Sequence, residues 1–193
     1  MTDSNIAIAD TLRDRARAAL DGRNLILVGL MGAGKSSVGK IVASQLGIPF
    51  IDTDHEIERV SRMTIPELFA RYGEQEFRDL ETRVIRRLLR QGPRVVSTGG
   101  GAFINERTRQ HLKSGGLSIW LKADLDVLWD RVSRRDNRPL LKTENPKQTL
   151  ENLMTARYPI YAEADLTVQS RDVRKELVAR EILDAIIHAR EAL

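Results

Sequence analysis

The sequence predicts a three-layer α/β fold built on a five-stranded parallel sheet, and three observations carry that reading. Short apolar runs at 24–29, 49–53, 94–98, 117–121 and 165–168 alternate with longer stretches of helical periodicity. Gly47 and Pro49, Gly92-Pro93 and Gly115-Gly116 punctuate the chain just before the second, third and fourth runs. The runs are continuously apolar rather than alternating, as expected of strands covered on both faces by the helical crossovers that parallel neighbours need.

Taken in order, Leu12, Ala16, Ala19 and Leu20 recur at helical spacing and Gly22 ends the pattern, so residues 1–22 read as an extra helix laid on the core. Leu25-Ile26-Leu27-Val28 then runs into Gly29-Leu30-Met31-Gly32-Ala33-Gly34-Lys35-Ser36, a full match to GxxxxGK[ST] between a strand and a helix. In that context the glycines let backbone N–H groups turn inward around a polyphosphate, Lys35 brings a positive charge, and Ser36 offers a hydroxyl to Mg²⁺. The helix that opens at Lys35 adds its positive dipole end. A nucleotide is therefore the expected ligand.

The second run ends at Asp52-Thr53-Asp54. Alternation along an extended strand would point Asp52 and Asp54 to one side, one toward the water shell of Mg²⁺ and the other toward an acceptor hydroxyl. Residues 54–92 are too many for a simple crossover and read as a helical insertion. Thr64-Ile65-Pro66-Glu67 has the form of a capping box there, and Leu68, Phe69, Phe77, Leu80, Val84, Ile85, Leu88 and Leu89 read as core positions. Arg78 sits among them, in Phe77-Arg78-Asp79-Leu80-Glu81.

The third run leads into Ser97-Thr98-Gly99-Gly100-Gly101, whose glycines allow close approach of a ligand to backbone N–H groups. Residues 132–147 are dense in charge, with Arg134-Arg135-Asp136-Asn137-Arg138-Pro139 at their centre, and read as a lid able to close over a nucleotide. Ala156-Arg157-Tyr158-Pro159 belongs to a later helix, and from Val173 onward Val178, Ile182 and Ile186 share one helical face. With no internal repeat or linker, residues 1–193 are expected to form one domain.

Composition narrows the partners. The chain is 41% hydrophobic and 30% charged, which suits a globular protein, and it has no apolar stretch long enough to cross a bilayer. It contains no cysteine, which excludes disulfides, thiolate metal sites and a cysteine nucleophile and agrees with the cytoplasm. The net charge of +4 rests on 24 Arg against 7 Lys, a bias toward the planar fork that suits carboxylate and phosphate. Aromatics make up only 5% and there is no long basic run, so anionic small molecules fit better than nucleic acid.

Six segments in order, GLMGAGKS, DTD, FRDLE, STGGG, RPLL and ARYPIY, resemble those of shikimate kinases, small ATP-dependent enzymes of the nucleoside monophosphate kinase-like group. The resemblance runs from about residue 24 to the last helix and leaves the first 22 residues outside it. It implies a sheet in the order 2-3-1-4-5 and transfer of the γ-phosphate of ATP to the 3-hydroxyl of shikimate, on the route to chorismate and aromatic amino acids. It further implies that Asp54 holds the acceptor hydroxyl and that Arg78 and Arg157 grip the shikimate carboxylate beside Gly99, Gly100 and Gly101. Gly32, Ala33, Gly34, Lys35, Ser36 and Ser37 would hold ATP, with Lys35 and Arg138 neutralising the transferring phosphate. Ser36 would bind Mg²⁺ directly and Asp52 through water, with Ser97 nearby. Arg131 resembles the position that stacks on adenine, with Arg134 as its competitor. Ser37 departs from the Thr common in the family and keeps the hydroxyl. Since one chain supplies every such residue, a cytoplasmic monomer that binds neither membrane nor nucleic acid is expected.

Overall fold

A computed structural model describes residues 2–134 and 139–192. Its centre is β1 (Asn24–Val28), buried along its whole length between β3 (Val95–Ser97) and β4 (Gly116–Lys122). β2 (Phe50–Asp52) pairs with the outer side of β3 and β5 (Leu166–Gln169) with the outer side of β4, giving the all-parallel order β2-β3-β1-β4-β5. This is the expected order, and each strand ends within a residue or two of its apolar run. The register sets Leu27 opposite Ser97, and Ser97 opposite Asp52, so the C-terminal ends of β1, β3 and β2 lie side by side. In a parallel sheet wound this way, that edge is where ligands bind.

The crossovers are α2 (Lys35–Leu46) after β1, α3 (Thr53–Ser61) and α4 (Ile65–Leu89) after β2, and α5 (Glu106–Gly115) after β3. α6 (Leu125–Ser133), a short turn of helix at Pro139–Leu141 and α7 (Pro146–Tyr161) lie between β4 and β5, and α8 (Lys175–Glu191) closes the chain. Before them, α1 (Thr2–Leu20) packs on α8 and α2, burying Ala16, Ala19 and Leu20 as the spacing of residues 1–22 predicts.

Two apolar cores result. The larger surrounds the sheet, and a smaller one of Ile57, Leu68, Phe77, Val84 and Leu88 joins α3 to α4. Ile85, on α4, belongs to the larger core, so this one helix is held by both. Its start is the predicted capping box: the Glu67 amide donates to Thr64 Oγ1 at 3.4 Å, and the Thr64 amide donates to Glu67 Oε2 at 2.7 Å. The helix over this stretch is kinked. At Gly73 the backbone takes φ 79° and ψ 175°, a conformation that a side chain would oppose, and the helix resumes beyond it toward Arg78. Farther along, the Thr82 and Thr108 hydroxyls meet at 2.7 Å and tie α4 to α5.

Removing the cap hydroxyl tests the local part of this account. Thr64→Ala should lower unfolding free energy by about 1 kcal/mol in a denaturant titration.

Candidate active site

The phosphate loop spans the gap between β1 and α2. Gly34 takes φ 92° and gives way directly to the helix at Lys35. The Lys35 ammonium turns back into the loop and donates to Gly29 O at 2.7 Å and Leu30 O at 2.9 Å. Ser37 Oγ donates to Gly34 O at 3.1 Å, so the hydroxyl kept at this position braces the loop's last turn.

Beside the loop, Ser36 Oγ donates to Asp52 Oδ2 at 2.6 Å and lies 3.2 Å from Ser97 Oγ. The strand register brings these three oxygens together from α2, β2 and β3. They are the hard, neutral or anionic donors that suit Mg²⁺, which characteristically takes one or two protein ligands and completes its shell with phosphate oxygens and water. Among the described residues there is no group of three or more His, Cys, Asp and Glu able to hold a metal ion without such help.

Asp52 and Asp54 do not share a strand face. The strand stops at Asp52, whose Oδ1 accepts from the Asp54 amide at 3.1 Å and so caps α3; Asp54 lies in the first turn of that helix. An Asp at the N-cap favours this early turn into helix, which is why strand alternation misjudged the path. The two carboxylates still reach neighbouring parts of the site.

The glycine run collects the rest. A Cβ on Gly99 would come within 2.4 Å of Asp54 Oδ1, and one on Gly101 within 2.7 Å of both terminal nitrogens of Arg78. At Gly100 it would be 3.7 Å from the Met31 amide nitrogen and 3.9 Å from Arg157 Nη1. Asp54, Arg78, Arg157 and the phosphate loop thus converge on three residues without side chains. The Gly99 amide donates to Thr53 Oγ1 at 3.0 Å, and Gly100 O accepts from Arg157 Nη1 at 3.3 Å and from the Tyr161 hydroxyl.

Arg131 lies on α6 against the phosphate loop and donates to Gly32 O at 3.1 Å. Arg134 instead pairs with Asp130 at 2.6 Å on the surface, so of the two residues considered for the base only Arg131 touches the loop. Arg138, with the centre of the segment read as a lid, lies outside the described residues.

A sequence model of shikimate kinases matches residues 31–187. The chain belongs to the shikimate kinase family. A shikimate kinase of Rhizobium leguminosarum bv. trifolii is 78% identical over 191 residues, which is 99% of this chain and 97% of that one. Another, of Rhizobium meliloti, is 66% identical and both chains are covered in full. Among solved structures, the shikimate kinase of Acinetobacter baumannii in complex with shikimate is similar with a TM-score of 0.84 and 40% identity, over 90% of this chain and 97% of that one.

In this shikimate kinase family member, two further groups support the basic residues. Glu81, 1% exposed, lies 2.8 Å from Arg78 Nη1, and Glu74 flanks the same guanidinium at 3.3 Å. Burial pulls Arg78 down, but Glu81 and Glu74 outweigh it and hold the guanidinium above its ordinary range. At Glu81, by contrast, burial dominates and raises the carboxyl, with Arg78 opposing the shift and Asp54 adding to it. The Tyr161 hydroxyl is pushed up to about 12 by burial, against the pull of Arg157, and stays a proton donor to Gly100. Neither Glu81 nor Tyr161 was picked out from the sequence. Their signal is spacing, since each lies one helical turn beyond the arginine it accompanies.

Glu81 gives a pH test. The folded chain holds its proton more tightly than the unfolded chain, so this contribution to stability is complete below the ordinary carboxylate range and is lost as pH rises through the raised folded value. Unfolding free energies from about pH 4 to about pH 7 should therefore fall in the parent relative to Glu81→Gln. Parallel profiles would contradict the assignment.

Proposed function

We propose that this chain catalyses transfer of the γ-phosphate of ATP to the 3-hydroxyl of shikimate, releasing ADP. The observation that carries this reading is the convergence of Asp54, Arg78 and Arg157 with the phosphate loop on Gly99–Gly101. It provides for a small carboxylated acceptor facing a polyphosphate, and it is supported by membership of the shikimate kinase family and by likeness to a family structure holding shikimate.

Arg78 and Arg157 bind the substrate carboxylate, and two forks on one carboxylate set its orientation as well as its affinity. Asp54 orients the acceptor hydroxyl and takes its proton as the oxygen bonds to the γ-phosphorus and the bond to the ADP oxygen breaks. Phosphoryl transfer asks chiefly for positioning and charge stabilisation, and both are within reach of these residues. Gly32, Ala33, Gly34, Ser36 and Ser37 cradle the phosphates, while Lys35 exchanges its carbonyl partners for phosphate oxygens and shares the transferring charge with Arg138. Ser36 would hold Mg²⁺ directly and Asp52 through water, and the ion would supply charge neutralisation at the phosphate oxygens. Arg131 contacts adenine, and residues 132–147 close over the nucleotide to exclude water. The protein works as a monomer, since one chain supplies every group named, and its lack of cysteine suits a place in the cytoplasm.

An ADP-release assay over shikimate, quinate, gluconate and nucleoside monophosphates tests the substrate, with turnover expected for shikimate alone. Arg78→Ala and Arg157→Ala should each weaken shikimate binding by about thirtyfold and leave ATP affinity nearly intact. Equal losses for both ligands in calorimetry would sink the pocket assignment. Asp54→Asn should lower turnover by at least about a hundredfold with nucleotide affinity retained.

A further inference from the structure

Arg131 is bonded in a way that contact with a base does not require. Nη1 donates to Gly32 O at 3.1 Å and to Ser170 Oγ at 2.9 Å, and Nη2 donates to Arg171 O at 2.6 Å. One acceptor belongs to the crown of the phosphate loop and two to the turn after β5. That turn is itself fastened to the sheet. The Ser170 amide donates to Lys122 O at 2.6 Å, at the end of β4, and Ser170 is only 2% exposed. The crown meanwhile rests on α6, where a Cβ on Gly32 would come within 2.9 Å of Val132 Cγ1 and 3.2 Å of Leu128 O. Arg131 therefore joins the loop to a frame that cannot move without disturbing β4 and β5.

The three acceptors are neutral, and Arg131 has no ion pair among the described residues, so the bonds fix the guanidinium without cancelling its charge. They use only the terminal nitrogens, which leaves Nε–H and both planar faces outside the bonded set. A lysine would keep the charge, but a single ammonium at the end of a flexible stem does not reproduce a planar fork held across three acceptors.

We propose that Arg131 is a positioning residue for the phosphate loop: by tying Gly32 to the turn after β5, it presets the loop for the phosphates whether or not a base is present. This rests on the reading of the loop as the ATP site. The probe is inorganic triphosphate, which carries the phosphates without the base, titrated with Mg²⁺ into the full chain alongside ADP and shikimate.

Arg131→Lys should weaken triphosphate binding by about tenfold, the loss expected for hydrogen bonds made by a charged group. Ser170→Ala removes one acceptor and leaves the guanidinium faces intact, and it should weaken triphosphate and ADP by a similar factor, about threefold. Shikimate affinity should be unchanged in both variants, which a general loss of folding would not permit. If Arg131→Lys fails to fold, Ser170→Ala decides alone. Loss of ADP affinity with unchanged triphosphate affinity would mean that Arg131 serves the base only, and would overturn the proposal. So would a parent that binds ADP but not triphosphate. A parent that binds neither would instead remove the ATP reading of the loop.

Discussion

The site depends on how closely Asp54 of α3 and Arg78 of α4 can approach the end of β3, and the glycines at 99 and 101 set that distance. Asp54, Arg78 and Arg157 come from three different helices, and any side chain on Gly99 or Gly101 would collide with the functional atoms of Asp54 or Arg78. The strands contribute the other half of the constraint. Because β2, β3 and β1 run parallel in register, Asp52, Ser97 and the phosphate loop emerge along one edge, within reach of the glycine run. Sheet register and missing side chains together bring residues distant in sequence into one small volume.

The basic residues are held in two contrasting ways. Arg78 is matched by protein carboxylates, one of them almost wholly buried, so its direction is fixed at the cost of part of its charge. Arg131 bonds to neutral oxygens, among them a carbonyl of the phosphate loop. Carbonyl partners orient a cation while leaving its charge for an anion to use. In the proposed reaction this division is apt, since a carboxylate has to be aligned while a polyphosphate also has to be neutralised.

Most of the fold was legible because its signals are local. Apolar runs marked all five strands, and Thr64 with Glu67 marked the start of α4. The kink at Gly73 was not anticipated, because an isolated Gly inside a helical pattern signals a break only weakly. Strand alternation was the wrong geometry for Asp52 and Asp54; a carboxylate at a strand end competes with the ladder by capping a helix. Glu81 and Tyr161 escaped notice because each acts on the site through another residue's atoms, and a motif names the group that touches ligand more readily than its support. The tie made by Arg131 joins α6 to turns far away in sequence, and no spacing within the chain announces it.

Asp52 spends its two oxygens on opposite halves of the site. Oδ2 receives the hydroxyl of Ser36, on the helix that follows the phosphate loop, and Oδ1 receives the amide of Asp54, on the helix that carries the acceptor-side carboxylate. One rigid planar group thus bonds both α2, which opens at the phosphate loop, and the first turn of α3. In the proposed reaction, the phosphate side and the acceptor side therefore meet at one carboxylate.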